Sequence, residues 1–445
     1  MSRADRRAQA PAAEEEGAVS GLTSEGEGVV HLGKTAFVEG ALPGERVRFR
    51  RTRRHRQHDD AQLLAVLEAA PERATPRCEH FGVCGGCVLQ HLQPQAQLAA
   101  KEAELRDNLT RVARVTPERW LAPLAGPAWG YRRRARLGVK FVRKKGCVVV
   151  GFRERSAPYV AQLRRCEVLA APAGDLITPL TQLIGALSIR EQLPQIEVAV
   201  ADNATALVLR VLTAPSAADL EQLQGFAQRH GLQLYLQPGG LDTVAPLGAP
   251  PAPLHYRLAR FDLTLEFLPT DFIQVNGAVN AALAERAVEL LAPAPGSRVL
   301  DLFCGIGNFT LPLARHAGSV VGVEGDAALI ARARGNAARN HLGNAEFHVA
   351  NLAAAVDGLT WTRGPYTHVL LDPPRTGARE VLPLVAGFSP ERLLYISCHP
   401  GSLARDLGAL VHEHGMTLEA AGVVGMFPHT AHVESIALLR GARRT

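Results

Sequence analysis

No stretch of the 445-residue chain reaches the roughly eighteen consecutive apolar residues that a membrane helix needs. The first residues, Met1 to Ala18, are arginine-rich, then carry Glu14-Glu15-Glu16, and lack the apolar core of a signal peptide. These two absences exclude a spanning helix and a secretory leader here. They leave a cytoplasmic protein as the expectation, with a disordered tail at residues 1–11. There is no internal repeat, so the length is expected to divide into two or three different domains. No coiled coil or long apolar edge points to a stable dimer, and a monomer without an obligate protein partner is expected.

Nor is there an overwhelming charge of one sign. The net charge is +6, but the excess is gathered in two clusters. One comprises Arg46, Arg48, Arg50, Arg51, Arg53, Arg54 and Arg56. The other comprises Arg132, Arg133, Arg134, Arg136, Lys140, Arg143, Lys144 and Lys145. A charge run is also what a solvated face looks like. Two arginine-dense clusters on strand-like segments favour contact with a phosphate backbone.

What is present divides the chain into three parts after the tail. Residues 12–70 read as short strands separated by glycine turns, with Val47 and Phe49 inward and the arginines between them outward, which fits a five-stranded barrel. Residues 71–260 read as an α+β domain. It holds a cysteine-rich loop, a helix at 95–112 and a basic hairpin around 134–152. A helix at 175–189, strands at 196–200 and 205–211, and a helix at 217–230 follow. Gly239 to Pro253 reads as a linker. From residue 261 to the C-terminus, strands at 298–303, 319–324, 345–349, 368–372 and 393–397 alternate with helix-length segments, the pattern of a doubly wound, Rossmann-like parallel sheet. Residues 422–439 read as an antiparallel edge pair around Pro428-His429-Thr430.

Four strand ends in the last domain carry chemistry. Asp301-Leu302-Phe303-Cys304-Gly305-Ile306-Gly307 has two glycines where a strand turns into a helix beside a ligand. The third glycine of a dinucleotide fingerprint is missing, with Thr310 in its place, which disfavours a pyrophosphate. Glu324 ends the next strand, where a carboxylate can hold both ribose hydroxyls. The pattern suits S-adenosyl-L-methionine, which has a ribose but no phosphates. Asp372 ends a third strand and Cys398 a fourth. A cysteine at a strand end is commonly a small buried hydrophobe, but here His399 and an expected helix N-terminus beside it favour the thiolate. A thiolate next to a methyl donor fits methylation of uracil C5, which is a poor nucleophile until a thiolate adds at C6. A base must then remove the C5 proton, and Glu434 is the candidate, although an acid after a turn is often a solvated surface group.

Cys78, Cys84 and Cys87 lie in a loop with Gly82, Gly85 and Gly86, and Cys166 follows later. In a cytosolic chain this spacing reads as metal ligation, either structural zinc or a [4Fe–4S] cluster. A fourth cysteine argues against an open iron site for radical chemistry.

With these residues in place, the chain resembles the RNA uracil-5-methyltransferases over nearly its whole length. Gly26-Glu27-Gly28 through Pro43-Gly44-Glu45 resembles the family's TRAM domain, an RNA-binding barrel. Cys78, Cys84, Cys87 and Cys166 with His80-Phe81-Gly82 and Gln90-His91 resemble its iron–sulfur motif, and that resemblance selects the [4Fe–4S] cluster over zinc. Phe272-Ile273-Gln274-Val275-Asn276 resembles the segment whose glutamine contacts the cofactor. By the same resemblance Phe303, Asn308, Glu324, Asn351 and Asp372 are expected to bind it. Ser397-Cys398 resembles the nucleophile motif and Met426 to Glu434 the segment carrying the base. His399 stands where the family usually has Asn. The resemblance implies a uracil in 23S rRNA as substrate, with tRNA or another rRNA uracil as the alternative. The rivals from other classes are a non-catalytic RNA-binding iron–sulfur protein and a methyltransferase acting on DNA cytosine or a small molecule.

Overall fold

The computed structural model describes residues 13–354, 356 and 358–441. The expected tail at 1–11 lies outside the described residues. The chain divides into two compact units, Met1–Ala100 with His429–His432, and Lys101–Pro428 with Val433–Thr445.

In the first unit, β1 (Glu14–Leu22), β2 (Gly28–Leu32), β3 (Lys34–Glu39), β4 (Arg46–Arg54) and β5 (His58–Glu68) close into a barrel in the order β1-β2-β3-β5-β4. Period-two alternation sends Val47 and Phe49 of β4 into a core with Val19, Val30, Ala36, Val38 and Ala61. Glu14 to Ala18, which by composition belong to an unstructured N-terminus, instead form the first half of β1. The cause is charge: β1 runs antiparallel to β4 with Glu16 opposite Arg48 and Glu14 opposite Arg50. Glu16 bonds Arg46 at 3.2 Å and Arg48 at 2.9 Å, Glu14 bonds Arg50 at 2.9 Å, and Glu15 bonds Arg51 at 2.8 Å. Four of the arginines expected to face phosphate, Arg46, Arg48, Arg50 and Arg51, are therefore already paired. After the barrel come the cysteine loop and α1 (Pro94–Asn108), which starts in this unit. The short segment 429–432 is held here too. Val88 and Leu89 donate their N–H groups to the His429 carbonyl, and the His429 N–H donates to Gln97 at 2.7 Å.

The second unit contains β6 (Arg119–Trp120) and a hairpin of β7 (Arg134–Val142) and β8 (Cys147–Gly151). It continues through α2 (Ile177–Ala186), β9 (Gln195–Val200), β10 (Thr205–Arg210), α3 (Ala217–His230), β11 (Leu232–Gln237) and β12 (Ala245–Pro246). Strands β7 to β12 form one sheet in the order β12-β11-β10-β9-β7-β8. Helix α3 starts where Ser216 and Asp219 cap each other reciprocally and ends on Gly231 in the left-handed region, so both ends are specified locally. β11 pairs parallel to β10, and the linker read at 239–253 carries β12 on the sheet edge. The basic hairpin is paired in part: Arg134 and Arg136 bond Glu197, Arg133 bonds Asp202, and Arg143 bonds Glu191.

A second hairpin, β13 (Leu254–Leu258) and β14 (Leu263–Phe267), leads into α4 (Gly277–Leu291). Then follow β15 (Arg298–Leu302), α5 (Thr310–Ala314), β16 (Ser319–Glu324), α6 (Ala327–Arg339), β17 (Ala345–Val349), β18 (His368–Leu371), α7 (Leu382–Gly387), β19 (Arg392–Ser397), α8 (Pro400–His412), β20 (Thr417–Val424) and β21 (Glu434–Arg440). They form an eight-stranded sheet in the order β17-β16-β15-β18-β19-β21-β20-β6, whose middle strands are parallel and buried on both faces. The last two strands are antiparallel as expected, but they are not the edge. β21 inserts between β19 and β20, and the two-residue β6 pairs outside β20.

Candidate active site

The carboxyl ends of β15, β18 and β19 gather the groups that the sequence singles out. Leu302 pairs with Leu371, and Leu371 with Tyr395, so the residues that follow leave the sheet side by side. β19 and β21 are antiparallel with Ser397 opposite Ser435. Extending that register by one residue sets Cys398 opposite Glu434. The thiol and the carboxyl, thirty-six positions apart in the chain, are thus brought together by strand order alone.

Their surroundings change their chemistry. Glu434 is 3% exposed. Burial, with Asp372 nearby, pushes its carboxyl well above the usual range. Burial pushes the Cys398 thiol up as well, reinforced by Glu434 and Asp372 and opposed by Arg375. Burial raises Asp372 to about 7. Asp301 rises to about 8, mainly through burial, with Asp372 and Glu324 adding to it against a hydrogen bond from Thr310. That bond, from Thr310 Oγ1 to Asp301 Oδ2, is 2.5 Å long, while Asp301 Oδ1 is buried without a partner. Burial and the neighbouring carboxyls thus act against the thiolate that the sequence leads one to expect at Cys398. Desolvation and neighbouring carboxyls outweigh the α8 N-terminus.

His399 has a different task from the one its position beside the thiol invites. It is the N-cap of α8, and its Nδ1 accepts the Ser402 N–H at 3.1 Å. An accepting Nδ1 carries no proton, so the ring proton sits on Nε2. This is the work an Asn side chain oxygen does at an N-cap, and it accounts physically for His at this position.

The turn after β15 is built for close approach. Phe303 has a left-handed backbone (φ 66°), as have Gly305 (φ 54°) and Gly307 (φ 94°). The Phe303 and Cys304 N–H groups donate to the Val323 carbonyl. Glu324 is fixed by backbone donors: Gly305 at 3.3 Å to one oxygen, Gly325 at 2.7 Å and Asp326 at 3.2 Å to the other. Asn351 follows β17, exposed, with its Oδ1 accepting the Ala353 N–H. Gln274 is half-buried on the segment before α4, beside Phe272, which is 70% exposed. Asn308 is engaged internally. It exchanges two amide bonds of 2.9 Å with Asn280, and its Oδ1 also accepts from Tyr256 Oη at 2.9 Å. One amide hydrogen and its backbone remain for a ligand.

Sequence reasoning missed the supports of this site. Asp301 was noticed as an acid but not as a buried carboxyl with an unpartnered oxygen. Asn280 and Tyr256, which hold Asn308, carry no motif. Asp406 was missed entirely. Fully buried in α8, it accepts from Tyr395 Oη at 2.7 Å and the Ala378 N–H at 2.8 Å, and it pairs with Arg405. Arg405 also donates to the Thr376 carbonyl at 2.8 Å, so this cluster pins the loop that follows Asp372. Gly377 (φ 87°) is needed there, because a Cβ would come within 2.4 Å of Asp406. The available signal was an acid in an otherwise apolar helix face.

The cysteines divide between the units: Cys78, Cys84 and Cys87 in the first, Cys166 in the second. No disulfide joins any of them. Cys87 and Cys166 are buried, Cys78 and Cys84 half-buried. The Gly86 N–H lies 3.5 Å from Cys84 Sγ.

Comparison with known proteins places these observations in context. Residues 256–442 match the family model described as tRNA (Uracil-5-)-methyltransferase. The chain is 52% identical over 437 residues to a protein of Alkalilimnicola ehrlichii named 23S rRNA (uracil(1939)-C(5))-methyltransferase RlmD, covering 98% of each chain. It is 50% identical to the protein of the same name from Xanthomonas axonopodis pv. citri, covering 95% of this chain and 96% of that one. Among solved structures, the Pyrococcus abyssi tRNA (uracil-54, C5)-methyltransferase in complex with S-adenosyl-L-homocysteine superposes with a TM-score of 0.73 at 22% identity, over 96% of this chain and 100% of that one. That likeness supports the fold.

Proposed function

The chain belongs to the RNA uracil-5-methyltransferases, alongside the 23S rRNA (uracil(1939)-C(5))-methyltransferases RlmD, and from that premise we propose how its own residues carry out C5 methylation of a uracil in 23S rRNA. The observation that carries the reading is the pairing of β19 with β21, which sets a thiol opposite a buried carboxyl at the ligand-binding edge of the sheet.

Cys398 is the nucleophile. Its sulfur adds to C6 of the target uracil, and the C5–C6 electron pair moves toward C5, making that carbon nucleophilic. S-adenosyl-L-methionine, when bound, supplies an electrophilic methyl group to C5. Glu434 then takes the C5 proton, the C5–C6 double bond re-forms, and the Cys398 sulfur leaves. The proton ends on the carboxylate, whose raised basicity suits it to an acidic carbon.

The site residues fit the cofactor. Glu324, held by three backbone amides, is placed for a ribose diol. Asp301 and Asp372 are buried carboxyls that a bound cation would draw toward ionisation, and among the described residues Asp301 Oδ1 has no hydrogen-bond partner. Phe303, Asn308, Asn351 and Gln274 complete the proposed contacts, Asn308 through its backbone and its one remaining amide hydrogen. The target base must leave its stack to reach Cys398, and the barrel, in its TRAM-like role, contributes RNA contacts.

Cys78, Cys84, Cys87 and Cys166 are proposed to hold a [4Fe–4S] cluster. Four thiols without disulfides are a suitable donor set, and the N–H directed at Cys84 sulfur is the kind of bond that cluster thiolates accept. The cluster has no step in the chemistry above. The domain division at residues 70 and 260 stands with this proposal.

The test is methyl transfer to 23S rRNA fragments and to tRNA transcripts carrying uridine tritiated at C5. The reading expects methyl label at one 23S uracil with matching tritium release. Label on tRNA instead would keep the chemistry and overturn the substrate. RNA binding with no transfer to either RNA would favour a non-catalytic role.

A further inference from the structure

The barrel carries a cluster that has no step in the chemistry proposed above. His55 sits in the tight turn between β4 and β5, where its N–H donates to the His58 carbonyl at 3.0 Å. His58 and Asp60 are two apart on β5, so both side chains lie on one face of the strand. His55 folds back over that face and stacks on His58 with ring centroids 4.6 Å apart. On its other side His58 stacks on Phe37 at 4.3 Å. The imidazoles therefore have fixed planes. Both present Nε2 to the same carboxylate: His55 Nε2 lies 3.0 Å from Asp60 Oδ2 and His58 Nε2 3.8 Å from Asp60 Oδ1. All three residues are half-buried.

We propose that His55, His58 and Asp60 form a binding site for a divalent transition-metal ion of the zinc type. Two imidazole nitrogens and a carboxylate oxygen are donors that zinc takes, with the remaining coordination position left to water or an external ligand. One ligand atom from each residue lies within 4.8 Å of the other two. Zinc bonds of about 2.0–2.1 Å in a tetrahedron require donors about 3.3 Å apart. The stacked imidazoles direct their Nε2 lone pairs side by side, so closing that gap takes side-chain rotations that open the stack.

The local charges are consistent with a cation here. Asp59, the neighbouring acid, is neutralised by Lys34 at 2.6 Å and Arg51 at 3.0 Å. Among the described residues Asp60 forms no ion pair with Lys or Arg, and its side-chain partners are the two imidazoles. Arg53 is its register partner on β4 and is exposed, without a bond to it. The acid that could balance a metal ion is thus the one the fold leaves to the histidines.

The test uses the full-length protein with its cysteine site loaded with iron and sulfide, titrated with Co²⁺ and then Zn²⁺, beside a His55→Ala/His58→Ala variant. His55 and His58 stand in a surface turn and at a strand start, and circular dichroism and melting of the variant check the barrel. One Co²⁺ equivalent is expected on the parent, with visible d–d bands and no thiolate-to-cobalt charge-transfer band, displaced by Zn²⁺ and lost in the variant. Asp60→Asn should weaken binding roughly ten-fold or more. Equal uptake by parent and variant, or a cobalt spectrum entirely of sulfur character, overturns the site. Unchanged cobalt uptake with lower RNA affinity in the variant also overturns it, and assigns the ring stack to RNA.

Discussion

The barrel strand β4 and the catalytic end of the eight-stranded sheet both concentrate charge, and they handle it in opposite ways. On β4, the carboxylates of β1 meet Arg46, Arg48, Arg50 and Arg51 across a solvent-facing strand pair. At the sheet end, Asp301, Asp372 and Glu434 are withdrawn from water with no Lys or Arg ion pair among the described residues, and each is pushed toward its protonated form. Exposed pairs give order and register while contributing little energy singly. Buried, uncompensated acids cost stability, and they persist where the reaction uses that cost. The comparison separates charge that builds the fold from charge that does chemistry.

The largest expected effect breaks the second half of this comparison. Cys398→Ala should lower methyl transfer on the order of 10⁴-fold or more, read by labelled-methyl incorporation, with cofactor binding by calorimetry unchanged. Full activity would remove the thiol from the mechanism. Glu434→Gln should lower turnover by about 10²–10⁴-fold, seen in single-turnover assays. Asp406→Asn removes the charge partner of Arg405 and loosens the loop after Asp372. A fall of about ten-fold in kcat with KM for RNA little changed is expected, because the residue positions the loop and touches no ligand. The pH profile sharpens the same point. Glu434 and Cys398 must both lose protons to act, and both hold them more tightly than usual. The parent kcat/KM should therefore rise with pH through neutrality, with no plateau in the ordinary carboxylate range. The smallest effect tests the first half: Glu16→Gln should leave the melting temperature almost unchanged and raise RNA affinity only slightly, by releasing Arg46 and Arg48, as salt-dependent binding would show.

Much of the sheet was legible because its strands are short apolar runs that carry Asp301, Glu324, Asp372 and Cys398 at or next to their ends, each delivered to the same edge by parallel order. The glycine turn and the capped helices were local signals and therefore readable. Part of what escaped was local: β11 and the β13–β14 hairpin alternate apolar and polar residues, a strand signal that went unread. The rest was non-local, such as the two-residue β6, whose pairing is set by a partner far along the chain. The glutamates of β1 looked like a solvated tail until β4 lay beside them. The ion pairing of the basic hairpin with Glu197, Asp202 and Glu191 had no sequence signature, and neither had Asp406 or the Asn280–Asn308 exchange. His399 was visible as a departure from the family, but only the α8 geometry shows that it substitutes for Asn as a cap.

The central claim is that Cys398 and Glu434 act in succession on one uracil. The most direct measurement is mass spectrometry of the Glu434→Gln protein after incubation with 23S rRNA fragment and S-adenosyl-L-methionine. The account predicts a covalent adduct at Cys398 in which the uracil already carries the transferred methyl and still holds its C5 hydrogen. An adduct at another residue, or free methylated RNA formed at the parental rate, would contradict it.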